Sequence, residues 1–126
     1  MICYLDTHVV VWLAEANLPK LSQRVLSFIQ TADLRVSPMA VLELQYLFEI
    51  ERLVVKPQEI LVKLNAEVGL KVCDHPFPIV AEVALGENWT RDPFDRIIVA
   101  HAKANGISPL LTRDETIHAH YDNARW

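Results

Sequence analysis

Residues 2–15, ICYLDTHVVVWLAE, join a short apolar run to a helical apolar pattern, with an aspartate at the junction. Ile2–Leu5 predicts a buried strand, and the segment after Asp6 predicts a helix that extends to about Glu15. A strand followed directly by a helix is the repeating unit of α/β folds with a parallel sheet. This stretch therefore predicts the fold class and places a carboxylate at the carboxyl end of the first strand.

The rest of the chain repeats this alternation of strands and helices. Further strands are predicted at 34–36, 70–73 and 108–112, with an edge strand within 121–126. Helices are predicted at 22–31, 38–53, 57–68, 79–85, 93–105 and 114–118. Several of them begin at a Ser, Asp or Pro or are followed by a Gly, which are the residues preferred at helix ends. We therefore expect a layered α/β fold.

The composition indicates a single domain that binds another protein chain. A chain of 126 residues is long enough for one core, and 52% of the residues are apolar. A monomer of this size would expose part of that apolar surface, particularly on the helix that carries Leu42, Leu44, Leu47, Phe48 and Ile50. We therefore expect a homodimer, a complex with a different chain, or both.

Charge and apolar patterning exclude several classes of protein. No apolar run approaches the roughly 18 to 20 residues of a membrane span, and no signal sequence is evident. We therefore expect a cytoplasmic protein without membrane contact, in which Cys3 and Cys73 are buried, reduced thiols. The net charge of −4 argues against bulk electrostatic binding of nucleic acid. It leaves open phosphate binding through divalent cations that carboxylates hold.

Two carboxylates follow predicted strands. Asp6 comes directly after Ile2–Leu5, and Asp114 comes shortly after 108–112; each also precedes a predicted helix. Either aspartate is therefore a plausible helix N-cap. In open parallel sheets, ligands bind at the carboxyl ends of the strands, so both residues are also candidates for a common site.

Two more aspartates open the predicted helix 93–105. Asp92 stands at the N-cap position and Asp95 three residues later, an arrangement that suits helix capping and the helix dipole. We interpret Asp92 as a cap. Asp95 adjoins the apolar stripe through Ile98 and Val99, which would bring its carboxylate towards the same edge of the sheet.

Glu43 lies about 200° around its predicted helix from Gln45, which starts a polar stripe through Glu49 and Arg52. Burying a carboxylate on the opposite, apolar face is costly unless a basic group or a metal ion compensates its charge. A buried salt bridge and a metal site are both open alternatives. A set of oxygen ligands without thiolates or imidazoles fits Mg²⁺ or Mn²⁺ better than zinc. Such ions activate water for attack on a phosphodiester.

Four stretches of the chain resemble, in order, the motifs of PIN domains. They are LDT at 5–7, VLEL at 41–44, RDPFDRIIVAHA at 91–102 and LTRD at 111–114. The DPFDR stretch is most similar to VapC-type toxins of prokaryotic toxin–antitoxin pairs. His101 departs from the pattern, because glutamine is common there in these toxins, and we interpret it as a variation on the surface or in packing and not as a change of chemistry.

This resemblance implies a three-layer α/β fold with a mostly parallel central sheet flanked by helices. It also implies a Mg²⁺-dependent endoribonuclease, a homodimer, and inhibition by a VapB-like antitoxin whose tail enters the acidic groove. The catalytic and metal-binding acids that it implies are Asp6, Glu43, Asp95 and Asp114. The additional site residues are Thr7, Asp92 and Thr112.

Basic and aromatic residues near the motifs are candidates for contact with RNA. These candidates are Arg91, Arg96, Arg113 and Trp89. Trp12 is better explained by packing, and His8 is a possible proton relay beside the site. His118 and His120 would share a face on a strand, but no further histidine or cysteine accompanies them as a metal ligand.

Two other functions remain open from the sequence. A PIN-like module could bind RNA or a protein without cutting it. A phosphoryl-accepting receiver domain has a similar layout, but the paired early acids and the late lysine that it requires are absent. No glycine-rich nucleotide-binding loop and no serine-nucleophile motif occurs.

Overall fold

A five-stranded parallel sheet lies at the centre of the computed structural model, which describes residues 1–126. The strands are β1 (Ile2–Leu5), β2 (Asp33–Val36), β3 (Lys71–Val72), β4 (Leu110–Leu111) and β5 (Ala124–Arg125). They are arranged in the order β3-β2-β1-β4-β5, and every neighbouring pair is parallel. The predicted α/β fold is confirmed, and the last strand forms an edge as expected.

Seven α-helices connect and flank the strands. They are α1 (Thr7–Ala14), α2 (Gln23–Thr31), α3 (Pro38–Glu49), α4 (Pro57–Val68), α5 (Phe77–Leu85), α6 (Pro93–Ala104) and α7 (Glu115–His120), with a short 3-10 turn at Leu18–Lys20. None of them has the length and apolar character that would let it span a membrane.

The central strand shows that helices cover both faces of the sheet. Cys3, Tyr4 and Leu5 have no exposed surface, although successive side chains of a strand point to opposite faces. A sheet that is buried on both faces is typical of parallel α/β folds. The fold therefore has three layers, and β1 lies in the middle of its core.

Three helix ends have the capping residues that the sequence predicted. The Val25 backbone N–H donates to Ser22 Oγ at 3.1 Å, and the Met39 N–H donates to Ser37 Oγ at 3.1 Å. Helix α4 ends at Gly69, whose φ of 72° is the left-handed conformation that glycine adopts most easily.

Helix α3 ends at Glu49, four residues before the predicted end. Glu51 has a φ of 63°, and the Arg52 N–H donates back to the Leu47 carbonyl at 2.9 Å. This 6→1 bond is a Schellman motif, which normally places a glycine at the left-handed position. Because glutamate occupies it, the sequence carries no visible stop signal. Leu53 then turns into the core instead of extending the helix.

Helix α7 extends to His120, so His118 and His120 lie on a helix and not on a strand. Residues two positions apart on a helix do not share a face, and the idea of a paired histidine metal site is therefore wrong. His118 Nε2 lies 2.7 Å from the Thr112 carbonyl, and His120 Nδ1 lies 2.9 Å from the Thr116 carbonyl. Both rings are engaged by local backbone.

The two cysteines are free and buried, as predicted. Burial raises the pKa of Cys3 to about 12, so its thiol stays protonated. Cys73 Sγ lies 2.8 Å from Tyr4 Oη, which also accepts a hydrogen bond from Asn105 Nδ2 at 2.8 Å. These contacts satisfy the phenol inside the core.

His101 is a buried member of α6 with 1% of its surface exposed. Its Nδ1 lies 2.9 Å from Oγ of Ser37, the cap of α3, whereas its Nε2 has no hydrogen-bond partner. Of the two interpretations of His101, packing fits this position, and a surface variation does not. Burial lowers the pKa of the imidazole, because the charged form would lose its hydration.

We expect the stability of the fold to fall as the pH drops below about 6.5, the ordinary pKa of histidine. Because the folded protein holds His101 neutral, the unfolded chain binds more protons there at acidic pH. His101→Gln should flatten this decline, as measured by the free energy of urea unfolding between pH 5 and pH 8. His120→Gln on the exposed end of α7 is the control, and an equal effect of both variants would refute the assignment.

Candidate active site

The pairing of β1 with β4 brings two predicted site residues side by side. Leu5 lies opposite Leu111 in the register, so Asp6 and Thr112 leave the sheet together. The Thr112 hydroxyl donates to Asp6 Oδ2 at 2.7 Å, and the Thr7 N–H donates to Asp6 Oδ1 at 2.8 Å. Asp6 is 3% exposed and caps α1. The aspartate is therefore both a helix cap and a fixed carboxylate at the strand end.

Asp114 reaches the same edge from the start of α7. Its N–H donates to Thr112 Oγ1 at 3.0 Å, and its Oδ1 accepts from the Ile117 N–H at 2.9 Å. This is an N-cap, as one alternative predicted, but Asp114 also lines the pocket that contains Asp6. The capping role and the site role are therefore compatible.

The two aspartates of α6 have different surroundings. Asp92 Oδ1 accepts from the Phe94 N–H at 2.8 Å and the Asp95 N–H at 3.4 Å, which confirms Asp92 as the N-cap. The Asp95 carboxylate lines the pocket, and no group of the chain donates a hydrogen bond to it.

Glu43 extends into the pocket from α3. The Thr7 hydroxyl donates to Glu43 Oε1. No lysine or arginine lies within salt-bridge distance of Glu43, so the alternative of a buried salt bridge is excluded.

These side chains surround one cleft of about 610 Å³. Its lining comprises Asp6, Thr7, His8, Val11, Trp12, Glu43, Leu47, Arg52, Leu53, Asp92, Asp95 and Asp114. All four predicted acids lie there, with Thr7 and Asp92, while Thr112 is fully buried behind Asp6. The structure thus brings the seven predicted acid and threonine residues together.

No lysine or arginine forms a salt bridge with the carboxylates of the cleft. Elsewhere in the chain, the buried carboxylate of Glu87 pairs with Lys103 Nζ at 2.7 Å. In the cleft, the one comparable contact joins His8 Nδ1 and Asp6 Oδ2 at 3.5 Å. Burial, followed by the charges of the neighbouring carboxylates, raises the pKa of Asp95 to about 7. Burial also raises the pKa of Glu43, although the Thr7 hydrogen bond opposes this shift.

His8 is a neutral imidazole in a fixed tautomer. Its Nε2 accepts a hydrogen bond from the Arg113 backbone N–H at 2.9 Å, so the ring proton must lie on Nδ1, towards Asp6. Burial lowers the pKa of His8, although the charges of Asp6 and Asp114 oppose this shift. In this arrangement the ring connects α1 to the loop before α7.

The donor chemistry of the cleft fits a hard divalent cation. The carboxylates of Asp6, Glu43, Asp95 and Asp114 supply oxygen ligands, which Mg²⁺ prefers. No three of these side chains converge closely enough, as oriented, to chelate an ion by themselves. Like charges repel one another, and Mg²⁺ usually keeps several water ligands and uses only one or two carboxylates. The cleft therefore supplies the type of ligand that such an ion prefers, without a preformed set of ligands around one point.

Three of the four residues predicted to contact RNA are engaged in local structure, and none of the four lines the cleft. The Arg96 guanidinium donates to the carbonyls of Ala84 and Leu85 at 2.8 and 3.2 Å, at the end of α5. Arg91 Nη1 donates to the Asn88 carbonyl at 2.9 Å. The structure thus gives Arg96 a role in joining α5 to α6, away from the acids.

Trp89 and Arg113 also lie outside the lining of the cleft. Trp89 Nε1 donates to Glu87 Oε2 at 2.7 Å, and its ring stacks on His120 with the centroids 5.1 Å apart. The Arg113 guanidinium lies over the ring of Trp126, 6.0 Å from the centroid.

Two residues of the cleft have different positions from those expected. Arg52 was expected on the polar stripe of a longer α3, but the early end of that helix directs it to the cleft. It is the one arginine or lysine in the lining. Trp12 was expected to pack in the core or at an interface; it does contact the core, and it also lines the cleft.

The comparisons with known proteins agree with this fold. The sequence profile of the PIN domain matches residues 3–123. No curated protein sequence matches the chain.

Solved structures of similar fold cover nearly the whole chain. VapBC2 from Rickettsia felis, bound to a promoter DNA fragment, is 18% identical in sequence and has a TM-score of 0.66. The match covers 94% of this chain and 92% of the VapBC2 chain. DNA-bound VapBC from Salmonella typhimurium is 20% identical with a TM-score of 0.60, and the match covers 99% of this chain and 96% of the VapBC chain. FitAcB from Neisseria gonorrhoeae is 24% identical with a TM-score of 0.53, and the match covers 98% of this chain and 95% of the FitAcB chain.

Without metal, we expect Asp95→Asn to stabilise the protein at pH 8. The Asp95 pKa is raised above its usual 3.8 in the folded state, so its ionisation opposes folding as the pH rises from about 4 to about 7. Asparagine removes this charge, and Tm should rise by a few degrees at pH 8. The difference should vanish below pH 4. Thermal unfolding in chelator measures it, and a lower Tm of the variant at pH 8 would contradict the assignment.

Proposed function

This chain belongs to the PIN domain family, and from that premise we propose that it is a Mg²⁺-dependent endoribonuclease. We further propose that it acts in the cytoplasm as the VapC-type toxin of a toxin–antitoxin pair. The observation that carries the nuclease proposal is the cleft in which Asp6, Glu43, Asp95 and Asp114 meet without a lysine or arginine partner. Buried negative charge of this kind calls for a bound cation.

The residues of the cleft have different roles in the proposed reaction. Mg²⁺, or Mn²⁺ in its place, supplies an activated water and neutralises charge on the phosphodiester when it is bound. Asp6 is held at both oxygens, so it is the fixed ligand, whereas Glu43 and Asp95 have fewer donors and can adjust. The Thr7 hydroxyl orients Glu43. Arg52 is placed to attract the phosphate to an otherwise acidic cleft.

We expect Asp6→Asn and Asp95→Asn to lower RNA cleavage at least 100-fold, because each removes a charged oxygen ligand of the ion. Cleavage of total cellular RNA, followed on a denaturing gel, measures the effect. Chelator should abolish the activity of the unmodified protein, and Mg²⁺ or Mn²⁺ should restore it. Asp74→Asn is the matched control, since Asp74 also follows a strand but does not line the cleft.

Two results would overturn the nuclease proposal. Full activity of either site variant would show that the acids are not required. Binding of RNA in Mg²⁺ without any cutting would instead favour the PIN-like module that has no catalytic activity.

We also propose that the chain forms a homodimer through α3. Leu42, Tyr46 and Ile50 lie four residues apart, on one face at the exposed side of this helix and its end, and are 56%, 49% and 41% exposed. Leu44, in contrast, is buried in the core, and Leu47 lines the cleft. A continuous apolar stripe of this kind is typical of an interface between chains.

We expect Leu42→Glu to convert the dimer to a monomer at micromolar concentration, because a charge in the centre of an apolar interface would be buried without a partner. Light scattering after size exclusion measures the mass. Val62→Glu on α4 is the control, since Val62 is 72% exposed and lies apart from the α3 stripe. A monomeric unmodified protein would refute the dimer.

An antitoxin of the VapB type is the second proposed partner. The solved VapBC structures of similar fold support this partner. An apolar groove of about 350 Å³ adjoins the acidic cleft and shares Val11, Arg52 and Leu53 with it. Its side chains suit an apolar segment of an inhibitory tail, and the acidic cleft suits a basic residue of the same tail.

A further inference from the structure

One side of the acidic cleft carries a cluster that the proposed chemistry does not use. We call it the aromatic wall and define it as His8, Trp12 and Trp126, with the cations Lys20 and Arg113 at its margin. His8 contacts both indoles, with its ring centroid 4.9 Å from that of Trp12 and 6.4 Å from that of Trp126. The indoles meet edge to face at 5.9 Å. His8 and Trp12 line the cleft, so the wall continues directly from the carboxylates.

The hydrogen-bond donors of the wall are unused within the chain. Trp89, outside the cleft, donates its indole N–H to a glutamate. The indole N–H groups of Trp12 and Trp126 have no acceptor in the protein, and neither nitrogen is buried. Because these two nitrogens are not buried, their N–H groups are open to hydrogen-bond acceptors of another molecule as well as to water.

The cations of the wall are also free of carboxylate partners. Lys20 Nζ lies over Trp12 at 5.3 Å from the ring centroid, and the Arg113 guanidinium lies over Trp126 at 6.0 Å. Neither side chain takes part in a salt bridge. In a chain of net charge −4, these two positive groups are held by aromatic faces at the margin of an acidic cleft.

We propose that the aromatic wall binds one unpaired nucleotide of the RNA strand, adjacent to the phosphodiester at the carboxylates. A nucleotide combines a flat ring, hydrogen-bond acceptors and a phosphate. Because Lys20 and Arg113 lie over the indole rings in the free chain, the base stacks on an indole face when the cation leaves that face for the phosphate, and the indole N–H groups donate to acceptors of the base or sugar. The 3.5 Å contact between His8 and Asp6 joins the wall to the carboxylates. The inference rests on the proposed function for its substrate, and it specifies single-stranded RNA, because a base within a duplex cannot stack on a side chain.

The test compares two anionic probes on the full chain carrying Asp95→Asn, in Mg²⁺, so that binding is measured without cleavage. One probe is a short single-stranded oligouridine, and the other is inorganic polyphosphate, which has phosphates but no bases. We expect Trp126→Leu to weaken oligouridine binding about tenfold, as loss of a stacking aromatic does, and to leave polyphosphate binding unchanged. Arg113→Gln should weaken both probes.

Matched controls and a second measurement keep the result interpretable. Arg24→Gln removes an exposed arginine of α2 outside the cleft and should change neither affinity. In Trp89→Phe, the remaining indoles are those of Trp12 and Trp126, and oligouridine should quench their fluorescence. This measurement does not depend on whether Trp126→Leu folds normally.

Unchanged oligouridine affinity in Trp126→Leu, or an equal loss for both probes, would overturn the inference. Absence of quenching in Trp89→Phe would overturn it as well. If the protein cuts RNA but Trp126→Leu shows no selective loss of oligouridine affinity, the nucleotide site is refuted and the nuclease proposal is unaffected. If Trp126→Leu selectively loses oligouridine affinity but the unmodified protein cuts no RNA, the nuclease proposal is refuted and the nucleotide site at the aromatic wall is supported.

Discussion

The parallel pairing of β1 with β4 is the constraint on which the whole cleft depends. This register sets Leu5 opposite Leu111, and Asp6 therefore leaves the sheet beside Thr112. A carboxylate that is 3% exposed is tolerable only with donors at its oxygens, and the Thr112 hydroxyl is one of them. A slip of one residue would turn that hydroxyl to the opposite face of the sheet. The packing of the central strands and the position of the acids are thus one requirement.

Helix N-termini give the cleft its second source of order. Asp6, Asp92 and Asp114 cap α1, α6 and α7, where backbone N–H groups and the positive end of each helix dipole favour a negative charge. Glu43 and Asp95 accept no such backbone bond, and burial and neighbouring carboxylates raise the pKa of both. The cleft therefore combines three carboxylates that the backbone holds with two whose charge the chain leaves largely uncompensated.

Features with a local cause could be predicted from the sequence, and features with a tertiary cause could not. Asp95 was predicted chiefly from the resemblance of residues 91–102 to a motif of PIN domains, and from its position beside the apolar stripe of its helix. Arg96 follows it directly, but one residue turns a helix by about 100° and sends the guanidinium to the end of α5. Arg52 depends on the left-handed conformation of Glu51, for which the sequence has no glycine. Trp126 reaches α1 only because β5 pairs beside β4.

The Thr112 hydroxyl couples parts of the protein that are distant in sequence. It donates to Asp6 Oδ2 while it accepts from the Asp114 N–H, and the Thr112 carbonyl lies 2.7 Å from His118 Nε2. Strand β1, the end of β4 and the first turn of α7 therefore form one mechanical unit. Removal of this one hydroxyl would take a donor from Asp6 and an acceptor from the Asp114 N–H at the same time, so two of the four acids depend on a single side chain that no substrate can touch.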